Sequence, residues 1–241
     1  MAVGLGTVWA VGSPFWGPPA ILGDGHDTDG YFPSFPYAND RDGNLIFSQV
    51  TCDCGALLDD SSDSPEHAAY CASHYGSSKT FSGRFAGEWA EQPGDMSRIG
   101  GRLQLNTTSR LGLDTQMDWL REPSLGPTDD ELWLGDCNVI YRFAQSERAQ
   151  FYSGIGFNWL DDPIDTDFGF NFTYGADFFP VKPWVVSSSI DWGSLGSAEQ
   201  FRYRLTGGVM INRVEIFAGY EYLDIDRTQM NTYVAGVGIW F

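Results

Sequence analysis

Basic side chains are scarce in this chain: 14 Lys and Arg stand against 32 Asp and Glu, a formal charge of −18 over 241 residues. A nucleic-acid partner is thereby excluded, since neutralising phosphates takes a basic face. Docking on anionic lipid from outside is disfavoured for the same reason. Also missing is any run of about 18 apolar residues, so no helix is expected to span a membrane. The slightly negative mean hydropathy leaves a membrane β-barrel open, because half of every spanning strand faces the lumen. The opening stretch Met1 to Val11 is apolar but lacks the basic n-region of a secretory signal, so a trimmed signal or a mature end with a start Met is expected there.

What is plentiful is aromatic (15%) and glycine (29 residues), distributed over two regions of different chemistry. Residues 1–78 carry Asp24, Asp27, Asp29, Asp40, Asp42, Asp53, Asp59, Asp60, Asp63 and Glu66 against a single base, Arg41, with Pro-aromatic strings such as Tyr31-Phe32-Pro33-Ser34-Phe35-Pro36-Tyr37. Pro and Gly punctuate this region too often for long regular elements. A strand over Asn44–Thr51 and a short helix over Ser64–Tyr75, with Pro65 at its first position, are the elements its pattern predicts.

From residue 79 to 241 the pattern changes to ten segments with period-two alternation, near 80–91, 97–107, 109–121, 131–143, 150–161, 166–179, 182–193, 199–211, 213–224 and 229–241. Each has the length a tilted strand needs to cross a bilayer. In the sixth, Phe168, Phe170, Phe172, Tyr174, Ala176 and Phe178 share one face, and Asp167, Gly169, Asn171, Thr173, Gly175 and Asp177 the other. Run alternately up and down, the strands sort their aromatics by height. Trp89, Trp119, Trp133, Trp159, Trp192, Tyr222 and Tyr233 fall near one rim, and Phe81, Tyr141, Phe143, Phe151, Phe178, Trp184 and Phe241 near the other. Two such belts are what membrane interfaces require. A soluble all-β protein with an aromatic core is the competing reading, and nothing in it calls for sorting by height. Connections at one end look short, with Arg110, Arg142, Arg148, Lys182 and Arg213 near them; those at the other look longer and acidic.

The last segment ends on Phe241 with Ile239, Val237, Ala235 and Tyr233 at alternate positions before it. This terminal strand resembles the assembly signal of bacterial outer-membrane β-barrels, and the resemblance covers about residues 80–241. It implies an antiparallel up-and-down transmembrane barrel of about ten strands, or eight if the first pair lies outside the wall. It further implies outer-membrane lipid and the barrel-assembly machinery as partners, the latter through the C-terminal strand, with the acidic N-terminal region on the periplasmic side. The segments Trp133–Phe143 and Gly169–Trp192 are also similar to uncharacterised barrel proteins of planctomycete-type bacteria, a resemblance that brings no catalytic residues with it.

The inward face then collects Arg84, Glu88, Arg98, Arg102, Asp114, Asp118, Asp136, Arg142, Asp177, Asp191, Arg202, Arg204, Glu215 and Glu221. Burying such charges demands mutual pairing, so an ionic network filling a narrow lumen is expected, with inward glycines such as Gly100, Gly175 and Gly208 leaving room for the arginines. That points to a non-enzymatic barrel with a structural or surface-interaction role, the alternatives being a narrow small-solute channel and a soluble ligand-binding protein. Catalysis is not expected: every histidine precedes the strands, which leaves Ser187, Ser188 and Ser189 without a base nearby in sequence. Cys52-Asp53-Cys54 with Cys71 has the wrong spacing for a structural zinc site, and a disulfide between Cys71 and either Cys52 or Cys54 is expected instead. Cys137 reads as a small outward hydrophobe. Asp27, Asp29, Asp40 and Asp42 lie in fragments of Asp-rich calcium loops that lack the full ligand spacing, so Ca²⁺ is the one cofactor the sequence raises.

Overall fold

Alternation at period two sends each strand's apolar residues to one face and its polar residues to the other, and ten such strands close on themselves. The computed structural model describes residues 13–24, 81–92, 96–122, 130–146, 148–163, 165–226 and 228–241. The strands are β1 (Phe81–Gln92), β2 (Met96–Thr107), β3 (Leu111–Glu122), β4 (Asp130–Gln145), β5 (Ala149–Asp161), β6 (Thr166–Phe178), β7 (Trp184–Leu195), β8 (Ala198–Ile211), β9 (Val214–Ile225) and β10 (Thr228–Trp240). Each pairs antiparallel with its neighbours in sequence, and β1 pairs with β10 to close the barrel. The first pair is therefore part of the wall, and the count is ten rather than eight.

Register sets the shape. A walk perpendicular to the strands from Arg84 passes Gln104, Asp114, Asn138, Gly156, Asn171, Gly193, Gln200, Ile225 and Thr228, and projects onto β1 about 12 residues beyond its start. With ten strands that stagger tilts each strand by roughly 40° and makes the wall roughly 30 Å tall. Closure at the seam is completed by Phe241, whose N–H and carbonyl both bond to Gly83 at 2.9 Å. Its ring lies where a side chain at position 83 would stand, so any larger residue there would have to displace the ring.

Polarity runs inside out. Facing outward and exposed are Phe85, Ile99, Val139, Ile155, Phe170, Ile216 and Val237, a continuous apolar wall. Facing inward and buried are Glu88, Arg98, Asp118, Asn138, Asn158, Asn171, Arg202 and Glu221. This is the arrangement of a transmembrane barrel, whose lumen is polar and whose outer band is apolar. A soluble barrel puts its charges on the other side of the same wall.

Two features depart from the sequence expectations. Residues 13–22 form a helix, α1, inside a region whose Pro and Gly content argued against long elements. It docks at the turn end of the outer wall. The Phe15 ring sits 5.5 Å from that of Phe143 and 5.8 Å from that of Tyr174, and the Tyr174 hydroxyl donates to the Pro14 carbonyl at 2.8 Å. Phe143, expected as a rim aromatic open to lipid, is thereby covered to 7% exposure. The register of β4 against β5 shifts between Tyr141 and Ala144, beside this contact. The second departure concerns connection length. At the loop end only two residues separate β7 from β8 and β9 from β10, as few as separate β8 from β9 at the turn end, so the expected contrast in length rests on the spacing between β3 and β4.

Candidate functional site: the lumen

All fourteen charged residues assigned to the lumen point inward. Seven of them make one network across the barrel. Arg98 on β2 pairs with Glu88 on β1 at 3.0 Å, with Asp118 on β3 at 3.5 Å, and with Glu221 on β9. Arg204 on β8 grips both oxygens of Glu88 and donates to Glu221 at 3.0 Å. Arg202 donates to Asp118 at 3.2 Å and to Asp136 at 3.5 Å, and its Nε stands 3.8 Å from Glu221. Amides complete the shell: Gln116 donates to Asp118 and Asn138 to Asp136, each at 2.8 Å, while Asn171 donates to Asn138 at 3.0 Å. Glu221 touches three arginines, which makes it the hub of the network.

Toward the turn end the pairs are separate. Arg102 meets Asp114 as a two-pronged fork at 3.2 and 2.8 Å. Arg84 pairs with Glu215 at 2.9 Å, and Trp240 Nε1 donates to the same carboxylate at 2.7 Å. The Arg84 guanidinium also stacks between the rings of Phe217 and Trp240, 5.2 and 5.1 Å from their centroids. Asp177 accepts from Gln150 at 2.8 Å, and among the described residues neither Asp177 nor Asp191 has an ion pair. Arg142 donates to the Thr107 carbonyl at the rim. The expected single network is thus one hub, two isolated pairs and a rim group.

Inward glycines serve a different purpose from the one expected. A side chain at Gly175 would run into the Tyr152 ring, one at Gly208 into Glu215, and one at Gly100 into Asp118. The space they leave is taken by a tyrosine and by carboxylates, which lets the arginines reach across from other strands.

Sequence reasoning missed three parts of the interior. Near the loop end, Leu120, Leu134, Leu195, Leu223 and Met230 form a buried apolar cluster inside the lumen, with Leu132, Leu160 and Ile225 packed against it. Their signal was parity: each sits on its strand's polar face. Near the turn end Trp240 and Phe179 meet edge to face at 5.9 Å, both fully buried. At the turn rim Arg110 forks onto Asp24 at 2.7 and 2.6 Å, and the Gln145 N–H donates to Asp24 at 2.8 Å. No local pattern links Asp24 and Arg110, which are far apart in the chain. Between these layers lies a cavity of about 20 Å³ lined in part by Arg84, Arg102, Tyr152, Asp177, Ser187 and Arg204. That is room for about one water molecule.

The expected interface aromatics lie on the outer wall. Trp89, Trp133, Trp184, Trp192 and Tyr233 are exposed, and Trp119, Trp159, Tyr222 and Phe241 are half-buried among wall neighbours. Trp119 and Trp133 stack at 6.3 Å, and the Trp159 ring covers the space above Gly135. Cys137 faces outward as expected. The histidines, Cys52, Cys54, Cys71 and the calcium-loop candidates Asp27, Asp29, Asp40 and Asp42 lie outside the described residues.

No family model matches the sequence, and no curated protein matches it. Among solved structures, the chain is similar to Neisserial surface protein A (NspA), with 14% identity, 67% of this chain and 96% of that one covered, and a TM-score of 0.34. It is similar to Ail, the attachment invasion locus protein of Yersinia pestis, at 15% identity over 67% of this chain and 96% of that one, TM-score 0.32. The KdgM porin matches at 10% identity over 66% of this chain and 99% of that one, TM-score 0.31.

Proposed function

We propose that this chain is a non-enzymatic β-barrel of the bacterial outer membrane, shut along its axis, with a structural or surface-interaction role. The observation that carries this reading is the wall itself, with exposed Phe, Ile, Val and Trp outside and buried, paired arginines inside. Such a surface in water is an aggregation hazard, whereas in a bilayer it is the solvent match. The closed axis is supported by the leucine cluster at one end, the Trp240–Phe179 contact at the other, and a cavity that takes about one water between them. Catalysis is disfavoured by the surroundings of the lumen serines: Arg84 lies 3.5 Å from Ser187 Oγ and Arg102 3.5 Å from Ser189 Oγ, and neither guanidinium can act as a base. In this reading the turn end faces the periplasm, and the hold of α1 and Asp24 on that end supports a periplasmic position for the N-terminal region.

Fractionation of cells expressing the full chain tests the membrane reading: the protein should stay with the envelope through a urea wash and require detergent for release. Recovery in the soluble fraction without detergent overturns it. Planar-bilayer recording should find no discrete openings, and steady single-channel steps would favour the small-solute channel instead.

A further inference from the structure

Helix α1 has no polar face. Residues 13–23 carry no charged side chain, and at about 100° per residue Phe15, Trp16 and Ile21 point in three different directions. Phe15 faces the barrel wall, while Trp16 and Ile21 stand exposed on the two flanks, Ile21 at 85%. A helix that is apolar all round belongs in a protein core or in lipid. The surface beside it is of the second kind. Val139 and Tyr141 on β4, Ile155 on β5, and Phe170 and Phe178 on β6 are exposed on the outward face. The flanks of α1 therefore continue the lipid-facing wall.

The two ends of the helix fix its height. Gly23 takes the left-handed conformation and the Asp24 N–H bonds back to the Pro19 carbonyl at 3.1 Å, which ends the helix and delivers the Asp24 carboxylate to Arg110 at the turn rim. At the other end Pro14 and Phe15 meet Tyr174, which lies four residues inside the end of β6, about 10 Å below the rim. The helix over residues 13–22 spans about 15 Å, so it runs down the wall from the rim into the apolar band. Its backbone suits that position. Pro18 and Pro19 have no N–H, so the carbonyls of Pro14 and Phe15 lack their usual helical donors, a loss that lipid cannot make good. From the wall, the Tyr174 hydroxyl supplies the Pro14 carbonyl with a donor at 2.8 Å.

Resting on the membrane reading above, we propose that α1 lies within the bilayer leaflet at the turn end, with Trp16 and Ile21 packed against lipid acyl chains and Asp24 tethering the helix to the rim. The test uses the full chain in phosphatidylcholine nanodiscs, which leave both rims accessible. The photo-crosslinker benzoylphenylalanine is placed at position 21 or, for comparison, at position 155 on the outer wall, and the irradiated products are identified by mass. A phospholipid adduct is expected at both positions. An adduct at 155 but none at 21, or a cross-link from 21 into residues 25–80, overturns the proposal and leaves the membrane reading intact. Absence of a lipid adduct at 155 counts against the membrane reading itself. As a second measurement, Ile21→Asp should speed chymotrypsin cleavage at Phe15 or Trp16 roughly tenfold, because a carboxylate is costly in lipid and harmless in water. An unchanged cleavage rate also overturns the proposal. Because Ile21 is exposed, circular dichroism of each variant should be that of the parent chain.

Discussion

At mid-height in the lumen Arg98, Arg202 and Arg204 share the charge of Glu88, Asp118, Asp136 and Glu221, whereas further along the same strands toward the loop end Leu120, Leu134, Leu195, Leu223 and Met230 point inward. Both layers exclude water, by different physics. Losing one leucine costs its own burial and the cavity it leaves, but the remaining apolar side chains stay in a medium that suits them. The ionic layer has no such tolerance. Each charge there is compensated by named partners, and removing one leaves the others stranded in a medium that cannot solvate them. A lumen built both ways has a gradual end and an all-or-none middle.

That comparison can be broken by substitution, read as urea unfolding of the protein in vesicles. Glu221→Ala, which uncouples three arginines at once, should have the largest effect, a loss of about 3–5 kcal/mol. Leu134→Ala, at 1% exposure in the apolar layer, should cost about 2–4 kcal/mol. If Leu134→Ala proves the more damaging, the ionic layer is not the brittle one. Asp24→Ala should cost about 1–3 kcal/mol by removing a charged fork from Arg110 and a bond from Gln145, and should free α1 for proteolysis in the folded protein. The smallest effect belongs to Gly207→Ala, within about 0.5 kcal/mol, since a methyl there points outward with nothing inside 4 Å. Gly156→Ala sharpens the contrast: its methyl would collide with the Cys137 carbonyl and with Asn138, so it should cost more than Gly207→Ala although both replace a strand glycine.

The wall was legible because its signal is local. Period-two alternation over a dozen residues names the strand, its two faces and its inward charges without knowledge of any partner, so Phe168 to Phe178 could be read alone. Which charge meets which could not. Arg204 reaches Glu88 across 116 positions, a choice made by barrel closure and stagger. The leucine layer was hidden by the same alternation, since apolar residues on the polar face read as noise in the pattern. For α1, Ser13-Pro14 is a good helix start, but Pro18 and Pro19 speak against continuation, and it is the Phe15 contact with the wall that decides. The β4 register shift beside this contact leaves no mark in composition.

The anchoring of Asp24 changes what kind of object the N-terminal region is. Asp24 is bound to Arg110, whose N–H bonds to Thr107, and Thr107 pairs with Phe81 at the start of β1. Asp24 and Phe81 therefore stand at neighbouring points on one rim, so α1 is clasped to the barrel where its first strand begins. A single cut between Asp24 and Phe81 would convert one chain into two fragments with all ten wall strands in one of them. The fragment ending beyond Asp24 would then be held by noncovalent contacts alone, so its dissociation from the nicked barrel would measure the strength of the clasp directly.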